Sequence, residues 1–356
     1  MIRRVGHVRV FAALGSFMSA GLIAFPLFTD PILWTVLRVL VGFCMSGIYV
    51  TAESWLNASA TNETRGKVLS AYMIAQTLGI IGAQGLLTLG DAATAGLFIG
   101  ASILVSISFG PILLSVTPTP AADVTRPMPL RTLFKNSPLG TVGIFLLGTI
   151  YATQSGMGAV YGSQIGMSAN EIALFIAMLF GGALLLQFPI GWLSDRMDRR
   201  SLILGCAVLG ATFCVLGWIN GPDIWMLMAA AFLAGGVTTP LYALLLAYTN
   251  DALDPADMPA ASGGLVMIFG IGAILGPLAA GAAMESYGPQ MFWLVLGVTF
   301  VGIGAYALYR MTQRAAAPIA DSDSYLGVLP TASPVAVEAA GAWAVEQAEI
   351  EREADT

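Results

Sequence analysis

Charge is what this chain has least of. Of its 356 residues only 10% are charged, where a soluble domain carries about 25%, and 57% are hydrophobic. So little polar surface cannot cover a water-soluble globule. The mean hydropathy of +0.80 assigns the chain to the lipid bilayer. Two lysines, Lys67 and Lys135, and no basic face leave nothing to bind nucleic acid. The one histidine is His7, and Cys44, Cys206 and Cys214 all lie in apolar runs. No metal-ligand spacing exists, and the cysteines read as small core hydrophobes. No G-x-x-x-x-G-K-[ST] loop occurs, so the chain has no ATP drive of its own. No Ser/His/Asp set and no paired carboxylates stand in an apolar run, so neither an enzyme nor a cofactor is expected. The pI near 4.7 owes much to the last 36 residues, with Asp321, Asp323, Glu338, Glu346, Glu349, Glu351, Glu353 and Asp355.

What is present is long apolar runs. Ten reach membrane-spanning length, at about 8–27, 32–54, 67–89, 93–115, 138–161, 170–192, 202–219, 223–247, 260–283 and 289–310. Unbroken runs of this length imply helices, because barrel strands alternate and are about 10 residues long. Fourteen of the fifteen Arg and Lys residues fall in alternate connections: Arg3, Arg4, Arg9; Arg65, Lys67; Arg126, Arg131, Lys135; Arg196, Arg199, Arg200; Arg310, Arg314, Arg352. The five connections on the opposite side have none. The positive-inside rule makes the basic side cytoplasmic and puts both termini there. The expected organisation is a helical bundle at 1–115, a proline-rich linker at 116–137, a six-helix bundle at 138–312 and a disordered acidic tail at 313–356. A short helix near 335–352 is expected within that tail.

A shift of 194 positions aligns the first four spans with the last four. Gly42 falls on Gly236, Glu63 on Asp257, Met73 on Met267, Gly82 on Gly276 and Leu97-Phe98 on Met291-Phe292. Parallel repeats of this kind are a transporter architecture. The two middle spans have no partner, which implies two further helices before residue 1 and makes Met1 an internal methionine. The alternative is a true ten-helix chain.

Residues 191–200, GWLSDRMDRR, carry five charges between two apolar runs. They resemble the loop motif G-x-x-x-D-R-x-G-R-R of the major facilitator superfamily (MFS). Gly191, Asp195, Arg196, Arg199 and Arg200 match, and Asp198 stands where the family has Gly. A second copy survives as the tail Arg4-Val5-Gly6-His7. Arg38 and Gly42 match the family's R-x-x-Q-G, with Val41 for Gln and Cys44 for a later Gly. The resemblance covers residues 1–312, and Glu53-Ser54-Trp55-Leu56-Asn57 looks like a poorly characterised bacterial branch. It implies an all-α membrane protein with the MFS two-bundle fold, here four helices in the first bundle and six in the second. It further implies a multi-pass, monomeric protein of a bacterial inner membrane. Its partners would be the lipid bilayer, protons and a small organic solute, moved by alternating access as a proton-coupled efflux antiporter. Nutrient uptake by symport and a truncated, non-transporting membrane protein are the alternatives.

Candidate coupling and gating residues are Arg38, Glu53, Asp195, Arg196, Arg199 and Arg200. Arg38 is the basic residue deepest in a span, where a charge costs about 2.5–3.5 kcal/mol. Glu53 lies about 22 Å further along the same helix, too far to pair with Arg38. By resemblance it holds Arg3, Arg4 or Arg9. Polar side chains on apolar helices, Gln76, Gln84, Tyr151, Gln154, Gln187 and Tyr242, are candidates to line a central cavity. Gly272, Gly276 and Pro277 mark a flexible gate, and the Gly272-x-x-x-Gly276-Pro277 pattern is similar to one that the family's antiporters carry.

Overall fold

The computed structural model describes residues 6–90, 94–114, 128–219, 223–254, 257–313, 325 and 327–354. These residues are helical throughout, without strands. The helices are α1 (His7–Ala24), α2 (Pro31–Ser59), α3 (Asn62–Leu87), α4 (Gly96–Ser108), α5 (Leu130–Asn136), α6 (Pro138–Gln164), α7 (Ala169–Ser194), α8 (Arg199–Ile219), α9 (Ile224–Asn250), α10 (Met258–Tyr287), α11 (Met291–Gln313) and α12 (Pro334–Ala354). Among the described residues eight helices are long and apolar enough to cross a membrane, or nine if the bent pair α5–α6 is one span. That is fewer than the ten expected. The run at 93–115 is not one helix: α4 has 13 residues and stops before a short helix at Gly110–Leu113. Pro111 removes a backbone donor there, and 13 residues reach only about 20 Å.

Local sequence sets the helix starts. Asp30 caps α2, accepting from Leu33 N at 2.9 Å, with Pro31 in the first turn. Ser168 and Glu171 form a reciprocal capping box on α7. The turns before α7 and α11 each use a glycine at positive φ, Gly166 (+82°) and Gly288 (+96°).

The second half, α6–α11, is a closed bundle. Helix α6 packs on α10, α7 on α9, and α8 on α9 and α11. Glycine seams bring these backbones together. A Cβ at Gly272 would overlap the Phe145 carbonyl, and one at Gly276 would lie 2.9 Å from Thr149 Cα. Gly182 and Gly235 likewise meet the backbones of α9 and α7. Gly276→Leu is expected to destabilise the bundle by about 1–3 kcal/mol through overpacking. Folded yield and thermal midpoint in detergent measure it, and an unchanged midpoint would refute the seam. Tyr161 stacks on Phe292 at 4.9 Å, and Phe175 and Trp293 close the aromatic cluster around them.

The first half is looser. Helix α1 packs on α2 and α4, whereas α3 has its main neighbour across the molecule in α7. Gly42 and Gly82, the repeat mates of Gly236 and Gly276, meet nothing within 4 Å. The mates differ because Gly236 packs on α7 and Gly276 on α6, the two helices without counterparts in the repeat.

The tail departs most from expectation. The sequence predicts a helix near 335–352 in a disordered tail, and α12 runs from Pro334 to Ala354; what it does not predict is that this helix packs on α10, α2 and α3. Ala336, Val337, Ala340 and Ala344 are buried along one face. Small side chains at helical spacing let this weakly hydrophobic helix seat closely. The linker residues 115–127, with Arg126, lie outside the described residues, as do Arg3 and Arg4.

Candidate functional site

The seam between the halves is where the polar groups gather. Glu53, on the last turns of α2, is fully buried. Its Oε1 accepts from the Tyr72 hydroxyl at 2.9 Å, and its Oε2 accepts from the backbone N–H of Ser333 at 2.7 Å. Tyr49 and Tyr242 lie within electrostatic reach of the same carboxylate. No ion pair to Glu53 occurs among the described residues. Among the described residues, a tyrosine and a backbone amide are what bind it. Arg9 is exposed, and Arg3 and Arg4 lie outside the described residues.

The cavity candidates divide. Gln154 and Tyr242 are buried in the second half, and the Gln154 Nε2 and the Tyr242 hydroxyl lack hydrogen-bond partners. The Gln76 amide on α3 lies beside the Tyr49 hydroxyl, and Gln84 Oε1, a little over two turns further on, lacks a hydrogen-bond partner. Tyr151 lies beside Thr331 of the tail. Gln187 lines a cavity of about 480 Å³ between α3 and α7, with Ser70, Thr77, Thr239 and Asp195 on its wall. Unpaired polar atoms in an apolar bundle are costly, and several of them at one seam make a surface suited to a hydrogen-bonding solute.

The charged loop between α7 and α8 is tied down residue by residue. Arg199 is buried, and its Nη1 reaches both carboxylate oxygens of Asp251 at 2.5 Å while Nε donates to Ser194 Oγ. Arg200 meets Asp198, the residue that departs from the family pattern, at 3.2 Å. Arg196 is exposed, donates to Trp192 O and stacks 4.3 Å from the Trp192 ring. Asp195 Oδ1 accepts from Tyr325 N at 2.8 Å. The Tyr325 phenol is raised above its ordinary range, by burial first and by neighbouring groups including Asp195 after it. Arg38 is exposed on α2, with its guanidinium 5.5 Å from the Phe25 ring centre and no ion pair among the described residues. The face of the Phe25 ring thus meets the guanidinium.

Sequence reasoning missed Asp251, Tyr72, Tyr325 and Ser333. Asp251 was within reach: α8 and α9 form an antiparallel hairpin, so the end of α9 must return to the start of α8. Nothing local pointed to the tail residues.

The comparisons agree with this architecture. The chain is 25% identical over 293 residues to the uncharacterized MFS-type transporter YfkF of Bacillus subtilis (strain 168), covering 80% of this chain and 74% of that protein. It is 23% identical over 326 residues to the uncharacterized MFS-type transporter YcaD of Escherichia fergusonii, covering 90% and 83%. The crystal structure of the nucleoside transporter NupG superposes with a TM-score of 0.73 at 14% identity, over 86% of this chain and 84% of that one. An inward-facing, unoccupied bacterial homologue of the human lysosomal transporter Spinster gives 0.62 at 16%, over 98% and 84%. The profile of the Major Facilitator Superfamily matches residues 1–181 and 141–337, which together take in both halves and the seam between them, and the chain belongs to that superfamily.

Proposed function

We propose that this chain exports a small organic solute by alternating access, in exchange for protons, across a bacterial inner membrane with both termini inside. The observation that supports the reading best is Glu53: a buried carboxylate with no cationic partner among the described residues, set among tyrosines at the seam. A carboxylate placed there can hold either a proton or a donor-bearing solute, and exchange between the two couples their movements. The Ser333 N–H already occupies one of its oxygens. The matching solute class therefore carries an N–H donor, an amine or an amide, on an apolar or aromatic body that suits the tyrosines. Asp195 and Arg196, exposed at the end of α7, act as closures made in one state of the rocking cycle, whereas Arg199–Asp251 lies within the second bundle and holds it together.

Everted vesicles carrying the chain test this. A pH-sensitive dye reports proton release when amine and amide solutes are added against an imposed pH gradient. Solute-dependent proton efflux from the lumen, with solute accumulating inside, is expected. Solute movement in the same direction as the proton would instead establish uptake by symport.

A further inference from the structure

The tail does not simply lie on the molecule. It enters it and turns back. The Tyr325 N–H binds Asp195 at the end of α7, and its ring covers Gly191. About one turn deeper on α7, Gly327 sits so close to Gln187 that a Cβ would overlap the Gln187 amide. The chain then reverses in a turn, Ala332 N donating to Leu329 O at 2.9 Å. At the apex Thr331 stands beside Tyr151 and the Ser333 N–H binds Glu53. Helix α12 leads back out: Gly341 lies against Asn250 at the end of α9, and the Trp343 indole covers Gly66 at the start of α3. Both flanks of this hairpin thus touch the ends of helices that carry the basic connections.

We propose that residues 325 and 327–345 are a re-entrant plug that closes the transport pathway from the cytoplasmic side, with 327–333 seated where the solute would bind. This rests on the reading of the Glu53 seam as the pathway. Three features favour a removable occupant over a permanent part of the core. Hydrogen bonds, which can exchange with water, tie the plug at Asp195 and Glu53. The buried face of its helix is largely alanine, so α12 itself brings little apolar area to hold it. It occupies the acceptor oxygen and the glutamine wall that a donor-bearing solute needs. Withdrawal would free them together.

The experiment reads access and position rather than transport, so it does not depend on the coupling proposal. In a chain with Cys44, Cys206 and Cys214 replaced by alanine, the pair Gln187→Cys and Gly327→Cys should cross-link rapidly on mild oxidation. Failure to cross-link would overturn the placement of the plug. In the same background, Tyr151→Cys should react slowly with a membrane-impermeant maleimide applied to everted vesicles. Ending the chain after Gln313, or Ser333→Pro, should raise that rate about tenfold to hundredfold, the ratio commanded by one hydrogen bond to a charged acceptor. Equal rates in the intact chain and both variants would sink the proposal. If the shortened chain fails to accumulate, Ser333→Pro and the cross-link decide the matter by themselves.

Discussion

Arg199→Ala is expected to destabilise the protein by about 3–5 kcal/mol, the cost of leaving a desolvated carboxylate without its partner. The Arg199 side chain is 3% exposed and that of Asp251 14%, so water cannot replace the lost guanidinium. The same change also strands Ser194, whose hydroxyl accepts from Arg199. Asp251→Ala should cost a similar amount from the other side. The double change Arg199→Met with Asp251→Leu separates a paired-charge explanation from a packing one. With both charges gone, the desolvation term disappears for both, and stability should return to within about 1–2 kcal/mol of the parent. Thermal midpoints of the four proteins in detergent give the coupling energy. A double variant as unstable as the sum of the singles would show that the pair itself contributes nothing.

Glu53→Gln is expected to cut gradient-driven transport by roughly 5–150-fold, the span of typical coupling free energies. Glutamine keeps nearly the same shape, and its carbonyl oxygen can still accept from Tyr72 or Ser333. Only the ability to carry a proton and a negative charge is lost. The decisive comparison is between driven transport and solute exchange at equal pH. Exchange should survive the substitution while the response to an imposed pH gradient vanishes. Loss of both in parallel would assign Glu53 to solute binding alone, and retention of the gradient response would remove it from coupling altogether. Tyr72→Phe provides the control. It deletes one donor and leaves the charge, so the gradient response should persist with at most a modest change.

How much of this could be read from the residues depends on how local each signal is. The apolar runs are one-dimensional facts: a stretch of about twenty residues spans the hydrocarbon by itself. The motif loop is equally local, and Gly191, Asp195 and the three arginines that follow mark the α7–α8 turn without knowledge of any other helix. The run at 93–115 misled because average hydropathy does not register Pro111, which stops α4 where the composition would let it continue. The polar cavity candidates were found by type, but type could not tell Gln154, buried with its Nε2 unpartnered, from Gln187, which is held against the tail. Arg38 looked like a charge within the membrane because it sits about six residues inside a run. Which face of α2 it occupies is a matter of what packs there, and the structure leaves it exposed over Phe25.

By itself the sequence determined the solvent, the helical class, the charged turns and the family, because each follows from runs or motifs shorter than one helix. Only the tertiary structure decided the partners. Glu53 is bound by Ser333, 280 positions away, and Arg199 by Asp251, 52 positions away. A tail of alanines and acids has no strong preference of its own; its place comes from a cleft that presents the acceptors Asp195 and Glu53 and is wide enough for a helix of small side chains. That cleft exists only after the two halves have come together.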